Sequence, residues 1–468
     1  MDSEDKKPKL GLRGISLYII CSIITIDSIP SAARIGAESV VWWILGIIFF
    51  FVPYGLVVAE LGSAFPETQE EVGGIFYWVN RAFGDFAGTM VSWIFWLDVG
   101  LWMPSVYITF ATIFQTVFLG FLSEEWIQVT RLSITVGLVW LTVLVGVRNT
   151  YLGEIFTNIG AFLKIGILVV LTILGIYYIV GHKSKTDFIH SDYSIFSLGK
   201  LPMVPVILFN FLGFEVVSVL SKDMKDPKKD FPRSIAISGL IISIIYILST
   251  IGILIVIPGK DINIVTGLND AFMQLINSSL GNNYSWLYYL MVTTLLFALF
   301  ATMIAWSIGA NGVMVETGLD KKVKFFSHRH SKYESPDYAF YVMGIIASSI
   351  CVLNFVGLES IKQIYWTIFA LSSMLLLFPY MMIFPAFIKL RISEPNVMRP
   401  FRIPVNIFGA VLLVISAEIC ILVTFGLYYI PPEEAVDKTR YIVSLVSGTI
   451  VSLLSGTIIY YTGKKKSV

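Results

Sequence analysis

Twelve apolar runs, each about the length of a membrane-spanning helix, follow one another along this chain of 468 residues. A helix needs about 20 mostly apolar residues to cross the hydrocarbon core of a bilayer. Polar segments such as ETQEE at 67–71 and KDMKDPKKD at 222–230 separate the runs. The pattern predicts an all-α membrane protein with twelve transmembrane helices. We expect them at about 12–34, 40–61, 84–119, 127–147, 151–180, 201–222, 233–257, 285–315, 337–356, 360–388, 404–428 and 438–462.

Composition excludes the common classes of soluble protein. Hydrophobic residues make up 56% of the chain and charged residues 14%, whereas soluble domains average about 25% charged residues. A soluble fold of this size would leave too much apolar surface in water. The net charge of +1 gives no reason to expect a nucleic-acid partner. We therefore exclude a cytosolic enzyme, a nucleic-acid binder and a disordered scaffold.

The loops leave no room for a catalytic domain. The longest, near 181–200, 258–284 and 316–336, have only about 20 to 27 residues. All four histidines lie in loops, and the three cysteines lie far apart without metal-ligand spacing. We therefore expect no enzyme activity, no cofactor and no metal site.

Lysine and arginine are unevenly distributed between the two sides of the membrane. If the N-terminus is inside, 23 of the 33 basic residues lie on the cytoplasmic side, 9 lie outside, and Lys164 lies within span five. Cytoplasmic loops of membrane proteins carry an excess of these residues. The distribution predicts a multi-pass protein of the cell membrane with both termini in the cytoplasm.

Two spans contain helix-breaking residues at corresponding places. Span one, CSIITIDSIPSAARIG (21–36), contains Pro30, and span six, PVILFNFLGFEVVSV (205–219), contains Asn210, Gly213 and Glu215. Paired discontinuous helices in the two halves of a transporter mark its substrate site, because broken backbone leaves polar groups that a substrate can satisfy. The alternative is that Pro30 only kinks a continuous helix, since proline is common in membrane helices.

Two long motifs carry a family resemblance. GFEVVSVLSKDMKDPKKDFPRSI (213–235) and VVAELGSAFPETQEEVGGIFYWVNRAFG (57–84) resemble signatures of the amino acid–polyamine–organocation superfamily. With VIPGKDIN (256–263), they are most similar to the glutamate/GABA antiporter family. The resemblance implies exchange by alternating access and a LeuT-type fold, with two inverted five-helix repeats and two peripheral helices. The expected divisions are a cytoplasmic segment 1–11, repeats 12–200 and 201–403, and the last two spans with a short tail, 404–468.

This sequence departs from the glutamate/GABA antiporter at its end. That antiporter has a long cytoplasmic C-terminal plug that closes its pore at neutral pH. The sequence ends at Val468 without such a segment. We therefore do not expect autoinhibition of that kind.

Three acids lie within spans: Asp27 at the first break, Asp98 midway along span three, and Glu215 at the second break. A carboxylate within a membrane is costly unless paired, so each is a candidate functional residue. Aligned on the motifs, the glutamate/GABA antiporter has a neutral tyrosine and a glutamine at the positions of Asp27 and Asp98. The related arginine–agmatine antiporter has an asparagine at the Asp98 position, where it meets the far end of its substrate. Two additional acids disfavour an anionic substrate and favour a cation.

Each acid has a less specific interpretation. Glu215 belongs to the superfamily motif and could be a structural or gating residue. Asp27 could face a solvated vestibule, and Asp98 could pair with Lys164. Lys164, in NIGAFLKIGIL (158–168), resembles the span-five lysine whose ammonium replaces a sodium ion in sodium-independent members. The alternative is that the Lys164 side chain extends along its helix and places the ammonium at the membrane surface.

Aromatic residues complete the expected site. Phe209 aligns with an aromatic gate of the superfamily, and Trp96 and Trp306 are candidates to stack on a cationic group. The alternative for each ring is ordinary packing in a chain rich in aromatic residues. The residues expected to bind substrate are Asp27, Ser28, Pro30, Ser31, Trp96, Asp98, Phe209, Asn210, Gly213, Glu215 and Trp306.

The sequence thus predicts a secondary antiporter for small cationic amines, with agmatine entering and putrescine leaving. The first alternative is an amino acid/amine exchanger (tyrosine/tyramine, histidine/histamine or glutamate/GABA) in which Asp27 turns away from the site. An amino acid substrate would need a free helix N-terminus for its carboxylate, and Asp27 lies there. The second alternative is a membrane sensor that transports nothing. We expect the protein to lie in the lipid bilayer as a monomer or homodimer and to bind no nucleic acid.

Overall fold

A computed structural model describes residues 11–65, 74–148, 150–191, 193, 200–215, 224–356, 361–432 and 437–464. Within these ranges the regular secondary structure is helical. The ETQEE segment, residues 216–223 of the span-six motif and residues 1–10 of the N-terminal segment lie outside them. The α-helices are α1 (Leu12–Ile23), α2 (Ile29–Ala33), α3 (Ser39–Gly46), α4 (Val52–Ala64), α5 (Ile75–Phe83), α6 (Asp85–Phe118), α7 (Glu124–Arg148), α8 (Thr150–Gly181), α9 (Pro205–Phe209), α10 (Pro227–Val256), α11 (Gly267–Ser279), α12 (Ser285–Glu316), α13 (Leu319–Lys322), α14 (Asp337–Val356), α15 (Ile361–Ser393), α16 (Ile407–Leu427) and α17 (Lys438–Lys464).

The helices confirm the prediction of an all-α membrane protein. Among the described residues, 9 helices are long and apolar enough to cross a membrane. They correspond to spans two to five, seven, eight and ten to twelve. In span two, a π-helical turn over Ile47–Phe51 joins α3 to α4. Span nine is the shorter apolar helix Asp337–Leu353. Spans one and six are interrupted, so neither forms one long helix.

Span one is broken rather than kinked. Helix α1 ends at Ile23, a 3₁₀ turn covers Ile26–Ser28, and α2 begins at Ile29. Pro30 is in the first turn of α2. Backbone N–H groups have no partner within the helix there, so the missing N–H of proline breaks no hydrogen bond, and its fixed φ suits a helix. Pro30 therefore starts the second half of the span.

Span six breaks after α9, which ends at Phe209. Gly213 follows with a φ of +122°, a conformation that residues with a side chain rarely adopt. A Cβ atom there would lie 3.2 Å from Cγ1 of Ile23 at the end of α1. The breaks of the two spans therefore lie against each other.

Helix α6 runs through the centre of the bundle. It packs against α7, α12, α14, α15 and α17, and most of its residues are buried. Helices α16 and α17 instead expose large apolar side chains such as Leu412, Leu422 and Val451. That exposure suits two helices at the periphery of a bundle surrounded by lipid.

A buried ion-pair cluster lies at one end of the bundle. The Arg391 guanidinium on α15 donates to both carboxylate oxygens of Glu60 on α4, each at 2.9 Å. The backbone N–H of Ile403 donates to the same carboxylate at 2.8 Å, and Arg391 also donates to Ile403 O at 2.8 Å. The cluster ties the ends of spans two and ten to the loop before span eleven.

Substitution of Gly62 by alanine is expected to destabilise the contact between α4 and α10. A Cβ atom on Gly62 would lie 2.2 Å from Cζ of Phe231, whose ring is fully buried. Overpacking of this kind costs about 1–3 kcal/mol, and we expect a lower midpoint of thermal unfolding in detergent. Gly137→Ala is the matched control, because no other described residue lies within 4 Å of its added Cβ. Equal midpoints for the two variants would contradict a fixed Phe231 ring.

Candidate functional site

Side chains of other spans satisfy the backbone at the first break. The Tyr246 hydroxyl on α10 accepts from the N–H of Thr25 at 3.0 Å and donates to Ile23 O at 2.9 Å. The Lys164 ammonium on α8 donates to Ile24 O at 3.0 Å. These hydrogen bonds satisfy backbone groups that the break in span one leaves without helical partners. Tyr246 was not among the residues expected from the sequence.

Removal of the Tyr246 hydroxyl is therefore expected to weaken the fold. Tyr246→Phe leaves the Thr25 N–H and one lone pair of Ile23 O without their tyrosine partner. An unsatisfied buried polar group costs about 1–3 kcal/mol, so the midpoint of thermal unfolding should fall. Tyr461→Phe serves as the control, because Tyr461 is exposed near the end of α17. A Tyr246→Phe variant as stable as this control would show that the break does not depend on the hydroxyl.

The two breaks are joined by a polar contact. The Ser28 hydroxyl is shared between Thr25 O, at 2.8 Å, and Oδ1 of Asn210. Both side chains are fully buried, and Nδ2 of Asn210 has no hydrogen-bond partner among the described residues. The structure thus brings together Ser28 and Asn210, which the sequence placed in one site.

Other expected residues of span one lie beside this contact. Ser31 is buried in α2. Pro30 packs against α11, where a Cβ atom on Gly267 would lie 3.0 Å from Pro30 Cβ. Helix α11 therefore covers the side of α2 that carries Pro30.

Glu215 is held by two tyrosines. Tyr54 on α4 donates to Oε2, and Tyr380 on α15 donates to Oε1 at 2.6 Å. The Tyr54 oxygen also accepts from the N–H groups of Gly213, at 3.3 Å, and Phe214, at 2.9 Å. The carboxylate thus connects spans two, six and ten at the second break, which favours the structural or gating interpretation of Glu215.

Aromatic rings from four helices form a layer beside the breaks. The ring of Phe209 lies 6.5 Å from Trp102 on α6 and 5.1 Å from Phe369 on α15, measured between centroids. Trp306 on α12 lies 5.4 Å from Trp102. We call Trp102, Phe209, Trp306 and Phe369 the aromatic layer. Sequence reasoning identified Phe209 and Trp306 but missed Trp102, although it follows Asp98 by one helical turn.

The structure places Trp96 outside the aromatic layer. Its ring stacks on Trp93 at 5.4 Å, and its indole N–H donates to Oδ1 of Asn311 at 3.0 Å. Trp96 and Asp98 are two residues apart on α6, so they point to nearly opposite sides of the helix. The expected stacking of Trp96 on a cation next to Asp98 does not fit this arrangement.

Asp27 and Asp98 are buried acids, with exposed fractions of 5% and 3%. Neither carboxylate oxygen of Asp27 has a partner in another described residue, and Oδ1 of Asp98 has none. Asp98 precedes Trp102 by one turn and therefore shares a face of α6 with it. The charge of Lys164 acts on Asp27, so the lysine accompanies Asp27 rather than Asp98. A buried carboxylate without a counter-charge is costly in its ionised form, and either a bound cation or a proton removes that cost.

Comparison with known proteins agrees with this architecture. The profile of the amino acid permease family matches residues 10–452. A probable agmatine/putrescine antiporter of Lactococcus lactis subsp. lactis is 32% identical over 406 residues, covering 86% of this chain and 83% of that protein. An uncharacterized transporter of Legionella pneumophila subsp. pneumophila is 29% identical over 94% of this chain and 95% of its own. A glutamate/gamma-aminobutyrate antiporter of L. lactis is 20% identical over 94% of this chain and 87% of its own.

These matches confirm the superfamily resemblance drawn from the motifs of spans two and six. The broken first and sixth spans agree with the LeuT-type fold that the resemblance implies. The chain belongs to the amino acid permease family of multi-pass membrane transporters.

Proposed function

We propose that this transporter is an antiporter for small cationic amines, with agmatine and putrescine as the exchanged pair. The observation that carries the proposal is the Asp98 carboxylate, buried beside the aromatic layer with one oxygen that has no hydrogen-bond partner among the described residues. An ammonium or guanidinium group would pair with that oxygen, and the aromatic rings would attract the same cation through their faces. The L. lactis relative with 32% identity, named a probable agmatine/putrescine antiporter, supports this pair.

Asp98 also gives a physical reason why the transporter exchanges substrates and does not reorient with an empty site. An unpaired carboxylate in a closed membrane site costs several kcal/mol. A transporter whose site is empty therefore has a high barrier to reorientation, whereas a bound cation removes that cost in both directions. One cation must leave on one side as another enters on the other, which is antiport.

Lys164 and Asp27 have a separate role in this proposal. The ammonium already bonds Ile24 O at the first break and acts on the Asp27 carboxylate. Such a resident cation neutralises Asp27 and holds the break without a sodium ion. Substrate exchange then depends mainly on Asp98, while Glu215 with its two tyrosines controls the contact among spans two, six and ten.

The membrane arrangement follows the distribution of charge. We place the protein in the cell membrane with both termini in the cytoplasm, because 23 of the 33 basic residues then lie on the cytoplasmic side. We also propose the repeat boundaries 12–200 and 201–403, and the equivalent breaks in spans one and six support them. A monomer or a homodimer satisfies this proposal equally.

A second candidate function is exchange of an amino acid for its amine. The buried donors Nδ2 of Asn210 and Nε1 of Trp102 have no acceptor among the described residues. A substrate carboxylate would supply one, whereas agmatine and putrescine would not. The relative named a glutamate/gamma-aminobutyrate antiporter also fits this alternative.

Counterflow distinguishes the two candidates. Purified protein is reconstituted into liposomes loaded with putrescine, and uptake of labelled agmatine is followed. We expect uptake that depends on internal putrescine and is unaffected by excess external tyrosine or glutamate. No agmatine uptake, with tyrosine or glutamate exchanging for its amine instead, would overturn the proposal in favour of the second candidate.

A further inference from the structure

A groove on the outer surface of the bundle runs between α15 and α16, and the last residue of α5, Phe83, borders it. Its volume of about 740 Å³ is within the range of pockets that hold one organic molecule. Apolar side chains form most of its wall, and two of them, Ile392 and Ile415, are 63% and 45% exposed. The groove therefore opens toward the hydrocarbon of the bilayer. We call it the lipid-facing groove.

Basic side chains lie at one end of the lipid-facing groove, which we call its mouth. Lys389, near the end of α15, lines the groove, and its ammonium lies 4.9 Å from the centre of the Phe83 ring. The acid nearest to it in sequence, Glu394, pairs with Arg81 instead, at 2.9 Å. Lys389 itself forms no ion pair with a described residue. Arg402 is exposed in the loop that joins α15 to α16, at the same end. The mouth of the groove therefore carries positive charge.

The opposite end of the lipid-facing groove lies deep in the membrane. Glu418 lines that end and is midway along α16, about 16 Å along the helix axis from Ile407, where α16 begins. This depth is about half the thickness of the hydrocarbon core. Oε2 of Glu418 is buried and has no hydrogen-bond partner among the described residues. The groove thus extends from a basic mouth to the middle of the bilayer, which is the length of one leaflet.

We propose that the lipid-facing groove binds an anionic phospholipid, with its phosphate on Lys389 and one acyl chain between α15 and α16. This inference goes beyond the proposed exchange and does not depend on the substrates. The phosphate of a lipid lies at the depth of the mouth, where a lysine ammonium donates charge-assisted hydrogen bonds to it. The acyl chain packs along the apolar wall, reaches the depth of Glu418 and keeps water from its carboxyl group.

Charge complementarity favours an anionic headgroup over a zwitterionic one. A choline headgroup brings a second positive charge close to Lys389, whereas a glycerol headgroup leaves the phosphate charge uncompensated. The proposed orientation places the mouth at the cytoplasmic leaflet, whose anionic lipids attract basic residues near the membrane surface. A lipid in this position contacts α5, α15 and α16 at once, so it should stabilise the folded bundle.

Thermal unfolding in detergent with added lipid tests the proposal. Purified protein is titrated with dioleoylphosphatidylglycerol, with dioleoylphosphatidylcholine and with glycerol 3-phosphate, which carries the phosphate without acyl chains. We expect a saturable rise of the unfolding midpoint with phosphatidylglycerol alone, because a ligand that binds the folded state stabilises it. Lys389→Gln should raise the half-saturating concentration about 5-fold, the effect of one basic residue near an anionic lipid.

Lys321→Gln is the matched control for Lys389→Gln. Lys321 is an exposed lysine on α13, which packs against α12 and α17 and does not border the groove. Its removal should leave the half-saturating concentration unchanged. Equal responses of the two lysine variants would overturn the proposal. A rise as large with phosphatidylcholine or with glycerol 3-phosphate would overturn it too.

Ile415→Trp provides a second variant that fills the groove from its exposed side. It should abolish the saturable rise, whereas Ile419→Trp should preserve it, because Ile419 is exposed on the same helix but does not line the groove. If no lipid changes the midpoint and Ile415→Trp instead dissociates a dimer, measured by light scattering, a second copy of the chain occupies the groove and the proposal is overturned. None of these measurements uses exchange activity, so failure of the proposed function is a separate result.

Discussion

Replacement of Asp98 by asparagine is expected to lower kcat/KM for agmatine exchange by about 100-fold, because loss of one partner of a buried charge pair costs about 2–5 kcal/mol. The asparagine keeps the shape of the side chain but removes the charge that would balance the substrate cation. The folded yield should stay near normal, since Oδ1 of Asp98 makes no hydrogen bond with a described residue. Initial rates of labelled agmatine uptake into putrescine-loaded liposomes measure the effect.

Glu418→Gln is the matched control for this prediction. Glu418 is another acid within a span, midway along α16, and its Oε2 likewise has no partner among the described residues. It lines an apolar surface groove of about 740 Å³ between α15 and α16 rather than the aromatic layer. Its neutralisation should leave the exchange rate within about 2-fold of the original. Equal losses in the two variants would indicate a general effect of intramembrane charge and would remove Asp98 from the site.

Replacement of Glu60 by glutamine is expected to produce the largest loss of stability. Glu60 and Arg391 have exposed side-chain fractions of 1% and 3%. The glutamine would leave the Arg391 guanidinium buried without a counter-charge, and breaking a buried pair in this way costs about 3–5 kcal/mol. We expect a midpoint of thermal unfolding lower by several degrees, measured on purified protein in detergent.

An exposed ion pair supplies the control for Glu60. Asp226 and Lys229 lie 3.4 Å apart with exposed fractions of 45% and 70%, and a pair of this kind contributes only about 0–1 kcal/mol. Asp226→Asn should therefore barely change the unfolding midpoint. If Glu60→Gln is as stable as Asp226→Asn, the Glu60–Arg391 cluster does not hold the ends of spans two and ten together.

Hydropathy and local motifs predicted the helical spans and both breaks, because each depends on residues close together in the sequence. The helix of span one restarts at Pro30, and the chain of span six turns at Gly213. Burial of Asp27 and Asp98 also followed from their positions in apolar runs. The position of the Trp96 ring could not be predicted in this way, because proximity in sequence to Asp98 does not show which side of α6 the ring occupies.

The polar contacts that close the site could not be predicted in the same way. Tyr54, Tyr246 and Tyr380 are three of 22 tyrosines, and only the packing of distant spans shows where each hydroxyl points. Glu60 and Arg391 are 331 residues apart. Such pairs depend on how the spans assemble, and no local pattern in one sequence specifies that assembly.

The central claim is that Asp98 binds a cationic group of the substrate. A double-mutant-type cycle, which combines a change in the protein with a change in the ligand, tests this claim most directly. Inhibition of counterflow by agmatine is compared with inhibition by butylamine, which lacks the guanidino group, in the unmodified protein and in Asp98→Asn. We predict that the unmodified protein favours agmatine by about 100-fold and that Asp98→Asn reduces this preference to less than about 5-fold. An unchanged preference in Asp98→Asn would contradict the claim.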